Sequence, residues 1–274
     1  MDLINKSILF LGAGSAAEAI ISGIIKGKVV SNNQLFVTNR ENEERLSYLQ
    51  ERYQVICSRH KEELISKADI IILAMKPNDL EKSILPIKAL FKENQLIISI
   101  LAGKSTDKIT DLIGLPIPVI RAMPNTSASI GYAATALTKG KYAIEQHMIQ
   151  AKQLFQTIGM TTIVKEDDMH AITAISGSGP AYIYYLVEAL EKAAIEAGLS
   201  SSVARELITQ TVIGAGNMLR LSGEDPETLR QKITSPNGTT EAGISILENN
   251  HFRRIVMECV KGAKERSEEL GNGQ

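Results

Sequence analysis

Residues 6–17 read KSILFLGAGSAA. Lys6–Leu11 is a short apolar run that reads as a buried strand. It ends in Gly12-Ala13-Gly14-Ser15-Ala16-Ala17, the pattern G-x-G-x-x-A. Through Ser15–Lys28 the apolar residues then recur at helical spacing. A strand, a glycine turn and a helix in this order make a phosphate cradle. Gly12 permits the tight turn, and Gly14, without a side chain, lets the backbone approach a pyrophosphate. Ala17 keeps the helix close to the strand, and the helix start at Ser15 and Ala16 offers free N–H groups. Glycines also follow strands for turn geometry alone. The position between strand and helix is what turns the pattern into an expectation of dinucleotide binding.

Outward from this unit the same alternation continues. Leu35–Thr38, Asp69–Ala74, Gln95–Leu101, Pro118–Ile120, Tyr132–Leu137 and Thr161–Val164 read as strands, and Glu41–Gln50, Asn78–Leu90 and Tyr142–Thr157 as helices. Near-continuous apolar strands alternating with helices predict an α/β fold with a mostly parallel sheet covered on both faces. After about Glu166 the strands stop. Ala181–Ala197, Val203–Leu221, Pro226–Ile233, Glu241–Glu248 and Phe252–Leu270 all carry helical periodicity. The chain is therefore expected to divide into a cofactor-binding domain over 1–166 and an all-α domain over 167–274.

Composition narrows the function. The 274 residues carry a net charge of −1, which argues against a nucleic-acid partner. No apolar run approaches the roughly 20 residues that cross a bilayer, so no membrane partner is expected. The opening apolar run is short and leads straight into the glycine turn, unlike a secretion signal. Cys57 and Cys259 are too far apart in sequence for a metal motif or a disulfide framework, and no metal is expected. A cytoplasmic location fits best.

The end of the second strand bears on which dinucleotide binds. An Asp or Glu there would accept from the ribose 2′-hydroxyl of NAD; here stand Thr38, Asn39 and Arg40. Arg40 can offer its guanidinium to a 2′-phosphate, with Asn39 or Thr38 as further donors, which favours NADPH with NADH as a second donor. Arg40 is alternatively a solvated loop residue. The third long strand ends in Ala74-Met75-Lys76-Pro77 and the fourth in Ala102-Gly103, both at the carboxyl edge where ligands bind in such sheets. Lys76 faces the cofactor or is a surface lysine.

Four segments share one resemblance. They are GAGSAAEAIISG near the start, Arg121–Thr126 (RAMPNT), Ser176–Tyr182 (SGSGPAY) and Leu229–Leu247 (LRQKITSPNGTTEAGISIL). In this order and spacing they resemble the pyrroline-5-carboxylate reductases. The resemblance implies an N-terminal Rossmann domain and a helical C-terminal domain that binds substrate and forms an interwoven homodimer, in some members assembled further into rings. It implies reduction of the cyclic imine pyrroline-5-carboxylate to L-proline by NAD(P)H. Gly238, Thr239 and Thr240 would grip the substrate carboxylate, and the Thr240 hydroxyl would reach the ring nitrogen. Ser178, Glu166 and Asn125 match positions near substrate, and His60 matches a position near the adenine ribose. Read without the resemblance, the loop is a capped helix start with a threonine cap, and Glu166 a helix-start acid. The chain departs from the family at Ala16, often Met, at Asn237, often Gly, and at His60, often Asn. Asn is the commonest substitute for Gly at positive φ.

A protonated imine accepts hydride readily, so placement outweighs acid catalysis, and none of the four histidines is needed; His170 reads as a helix-surface residue. Two other readings stand. A β-hydroxyacid dehydrogenase would need a helical lysine, which Ala204–Leu221 lacks. A regulatory relative would bind the dinucleotide without turnover.

Overall fold

The computed structural model describes residues 3–272. One compact unit runs through Ser178 and resumes at Gly262; the other is Gly179–Lys261.

The first unit is built on eight strands: β1 (Ile8–Leu11), β2 (Leu35–Thr38), β3 (Ile56–Cys57), β4 (Ile70–Leu73), β5 (Leu96–Ser99), β6 (Val119–Met123), β7 (Ala133–Lys139) and β8 (Gly159–Ile163). They lie in the order β3-β2-β1-β4-β5-β6-β7-β8, and every pairing is parallel except β6 with β7. Parallel neighbours need a long crossover. Between β6 and β7 the chain has only the short turn through Thr126–Ile130 and Gly131, at φ +79°, so it reverses there.

Helices α1 (Ser15–Lys26), α2 (Glu43–Tyr53), α3 (Lys61–Lys67), α4 (Leu80–Ile84), α5 (Thr106–Ile113), α6 (Glu145–Gln156) and α7 (Met169–Ile172) connect the strands or follow them. Alternate strand residues point to opposite faces. Ile8, Phe10, Ile70, Ile72 and Ile98 pack with α1, α2 and α6 in one core. Leu9, Leu11, Ile71, Leu73 and Ile97 pack with α3, α4 and α5 in a second. Both faces are closed, which is why the strands read as continuous apolar runs. Each such side chain contributes about 1.5–3 kcal/mol by leaving water.

β1 starts two residues later than its apolar run suggests. Asp69 accepts from Lys6 Nζ and from Ser7 N–H, both at 2.9 Å, and holds the chain just ahead of the ladder. The expected single helix over Asn78–Leu90 is instead a 3-10 turn, α4, and a second 3-10 segment, Leu85–Leu90. Pro86 explains this correction: it donates no N–H and its ring collides with the preceding helical turn. β3 with α3, and α5, are elements that the periodicity did not single out.

The second unit holds α8 (Gly179–Glu196), α9 (Ser201–Leu221), α10 (Pro226–Lys232), α11 (Thr239–Asn249) and the first half of α12 (Phe252–Asn272). Ser200 and Asp225 cap α9 and α10 through their side chains. Among the described residues no helix is long and apolar enough to cross a membrane.

Candidate active site

Gly12 has φ +123°, and a Cβ on it would lie 2.4 Å from the Ala74 carbonyl oxygen of the strand beside it. Only glycine fits there. Gly14 differs. It caps α1 without a side-chain hydrogen bond, and no neighbouring protein atom lies within 4 Å of the Cβ it lacks. Packing does not demand its small size. Gly14, Ser15 and Ala16 are exposed, so the first turn of α1 presents bare N–H groups and the positive dipole end. That arrangement fits a phosphate group.

The turn is fixed from behind. Arg45 Nε donates to the Ala13 carbonyl at 2.7 Å, and its Nη2 lies 2.5 Å from Glu18 Oε2. The hydroxyls of Tyr53 and Tyr48 also donate to Glu18, at 2.9 and 3.2 Å. Burial pushes the Glu18 carboxyl up, but the bonds from Arg45 and Tyr53 outweigh it and leave the pKa below its ordinary value. This brace was invisible in the sequence, where Glu18 was one acid in a first helical turn.

At the end of β2 the Arg40 guanidinium is exposed and meets Glu41 at 2.7 Å, a pairing that water makes weak. Asn39 is committed to its own turn, donating to the Asn42 carbonyl at 2.6 Å and accepting from Asn42 N–H at 3.1 Å. Arg40, Gly12, Met75 and Lys61 line one cleft. Lys61 is a lining cation that the sequence reading missed. His60 stands just before α3 and caps it without a side-chain bond. Lys76 is exposed, and Pro77 opens the 3-10 turn after β4. Gly103, at φ +76°, is buried while Ala102 is half-buried. All of these residues follow the carboxyl ends of β1 to β5, the ligand edge of a sheet with this strand order.

β6 carries the RAMPNT segment to the same edge. Arg121 is 1% exposed, and its Nη1 donates to Glu166 Oε1 at 2.6 Å. Thr106 donates to the other Glu166 oxygen at 3.1 Å, and the Glu166 side chain keeps 30% of its surface exposed. Asn125 Nδ2 donates to the Ser176 carbonyl at 3.0 Å, while its Oδ1 is buried without a partner among the described residues. The chain entering α8 forms a π turn over Thr173–Gly177, closed by Ser178 N–H on the Thr173 carbonyl. A Cβ on Gly177 would lie 2.9 Å from Met123 Cε, the movable end of a side chain, so the two motifs lie against each other here. His170 is not a helix-surface residue: its Nδ1 lies 2.9 Å from the hydroxyl of Ser267, itself 3% exposed.

In the helical unit, Asn237 has φ +59° and its N–H donates to Glu241 Oε2 at 2.7 Å. The cap of α11 is Gly238, not a threonine, and it supplies no side-chain oxygen. Thr239 and Thr240 are the first residues of the helix. Neither hydroxyl has a hydrogen-bond partner among the described residues. The opening N–H groups of α11 are therefore left for an external acceptor.

The chain is 46% identical to "Pyrroline-5-carboxylate reductase 2" of Bacillus subtilis (strain 168), over 97% of this chain and 95% of that protein. It belongs to the pyrroline-5-carboxylate reductase family. The family model for pyrroline-5-carboxylate reductase dimerisation matches residues 166–270, and a model described as "NADP oxidoreductase coenzyme F420-dependent" matches 7–103. A pyrroline-5-carboxylate reductase structure from Coxiella burnetii superposes with a TM-score of 0.89 at 33% identity, covering 97% of this chain and 98% of that one. The pyrroline carboxylate reductase of Plasmodium falciparum, solved with NADP bound, gives 0.88 at 30% identity with the same coverage.

For a member of this family, the first unit thus gathers the sequence-predicted residues from Gly12 to Gly103 along one sheet edge. The second presents Gly238, Thr239 and Thr240 at one helix start. Besides Lys61 and the Glu18–Arg45–Tyr53 brace, the sequence reading missed the burial of Gly103, which the last turn of α12 covers.

Proposed function

We propose that NADPH is the donor with which this chain reduces 1-pyrroline-5-carboxylate to L-proline, the last step of proline biosynthesis. Cofactor binding is assigned to 1–166, and substrate binding and homodimerisation to 167–274, in a cytoplasmic enzyme. The observation that carries this reading is the start of α11, where a glycine cap leaves N–H groups and two threonine hydroxyls uncommitted.

Reduced nicotinamide, when bound, supplies the hydride. Gly14, Ser15 and Ala16 receive the pyrophosphate on bare N–H groups, and Gly12, whose own N–H is committed to the Thr38 carbonyl at 2.9 Å, shapes the turn that brings them there. Arg40 releases its weak pairing with Glu41 to take the 2′-phosphate, with Asn39 shaping the turn beneath it. His60, Ala74, Met75, Lys76, Pro77, Ala102 and Gly103 wall the cofactor along the carboxyl edge. Gly238, Thr239 and Thr240 hold the substrate carboxylate on the positive end of α11. The Thr240 hydroxyl orients the ring nitrogen, and water or that hydroxyl relays its proton. Ser178, Asn125 and Glu166 border the ring. A protonated imine carries its positive charge beside the carbon to be reduced, so orientation is the main demand on the protein.

Steady-state oxidation of NADPH and NADH with pyrroline-5-carboxylate tests the reading in one series. Thr240→Ala is expected to lose about 10- to 100-fold in kcat/KM with NADPH affinity retained. Arg40→Asp is expected to shift preference toward NADH by at least about tenfold. Bound NADPH without turnover in the unaltered protein would point instead to a regulatory relative. Equal use of the two donors would remove the role given to Arg40.

A further inference from the structure

The last turns of α12 close onto the turn that follows β5. Lys104, 5% exposed, donates through Nζ to the Leu270 carbonyl at 2.8 Å. Three residues before Leu270, the buried Ser267 meets His170. Between these two bonds the main chains touch. A Cβ on Gly103 would lie 2.9 Å from Gly271 N and 3.0 Å from the Ser267 carbonyl oxygen. A Cβ on Gly271 would lie 2.6 Å from the Gly103 carbonyl oxygen. Backbone atoms cannot swing aside as a side chain can, so the approach requires both glycines.

The chemistry of the contact is directional. The final carbonyls of a helix lack intrahelical partners and form its negative end. The Lys104 ammonium sits on one of them. Burial pulls its pKa below the ordinary lysine value, Lys108 adds to that pull and Glu81 opposes it. A cation so far out of water persists where such an acceptor holds it. From the sheet side the same turn is held by Ile100 N–H on the Leu73 carbonyl at 3.2 Å, and by Leu101 N–H on the Ser99 hydroxyl at 3.3 Å. The turn Ala102–Gly103 is thus gripped between the sheet and the end of α12. That helix begins at Phe252 in the helical unit and ends in the sheet-bearing one.

We propose that the end of α12 is a latch that fixes the turn Ala102–Gly103 for the dinucleotide, with Lys104, Ser267 and Gly271 as positioning residues. The inference rests on the cofactor reading of the sheet's carboxyl edge.

NADPH affinity, read from the fluorescence of the bound dinucleotide, tests it, beside steady-state kinetics and Tm, in Gly271→Ala, Lys104→Met and Lys104→Arg. Helix propensity alone favours alanine over glycine, so an account limited to helix stability expects Gly271→Ala to keep its affinity and its Tm. The latch expects Kd and KM for NADPH to rise about five- to tenfold, with kcat at saturation within about twofold. Lys104→Met should behave alike, and Lys104→Arg, which keeps a cationic donor, should stay nearer the unaltered protein. Unchanged NADPH affinity in folded Gly271→Ala overturns the latch, and should that variant fail to fold, unchanged affinity in Lys104→Met does so. Failure of the underlying cofactor reading looks different: the unaltered protein would then bind no NADPH.

Discussion

The two units spend apolar residues in opposite ways. In the sheet-bearing unit Ile8, Leu9, Phe10, Ile71 and Ile72 are all 0% exposed, enclosed by helices of the same chain. Across Gly179–Lys261 only Ala204 is buried, while Ile183, Leu190, Ile213, Met218 and Ile255 each expose 44–54% of their surface. Hydrophobic exposure on this scale marks an association surface rather than a finished core. The difference teaches that an apolar helical stripe announces burial without saying by what. Here the matched dimerisation model spans the same helices, and the proposed second copy completes their core.

Charging the helical surface should do the most damage. Leu190→Glu combined with Ile255→Glu is expected to abolish the dimer in sedimentation and imine reduction in the assay, while the sheet-bearing unit still binds NADPH. A doubly charged variant that stays dimeric and active would break the comparison. Next comes the closed core. Ile72→Ala should cost about 2–5 kcal/mol in denaturant unfolding, as removal of buried methyl groups does, and leave the dimer intact. If it dissociated the dimer instead, the two units would not be as separate in their packing as described. The smallest effect is electrostatic. Burial lowers the pKa of His147 below its ordinary 6.5. It does the same for His170, with Arg121 adding, against Glu268 and Glu166. A histidine with a lowered folded pKa binds more protons unfolded than folded. Its stabilisation is full above the unfolded pKa and is lost as pH falls toward the folded one. Tm should therefore fall modestly below about pH 6.5, and less in a His147→Gln, His170→Asn protein. An unchanged slope would place the titrating groups elsewhere.

The parts of the site that lie within one strand-turn-helix were legible early. Gly12 and Gly14 were readable because their roles depend on residues a few positions away. Asn237 was readable as a residue for positive φ, and it has φ +59°. The α11 cap was less so, since threonine and glycine both cap helices, and the backbone chose Gly238. β3 escaped notice because two residues carry no periodicity. Glu18 with Arg45 and Tyr53, Gly103 with Gly271, and His170 with Ser267 escaped because each joins segments distant along the chain.

By itself the sequence determined the alternation of strands and helices, the glycine turn and the order of the two regions, because hydrophobic period and turn chemistry are local. Only the tertiary structure decided the strand order, the reversal at β7, which glycines serve packing and which leave open space, and that α12 ends against Gly103. Those depend on contacts between distant segments, and a linear pattern does not state which surfaces will meet.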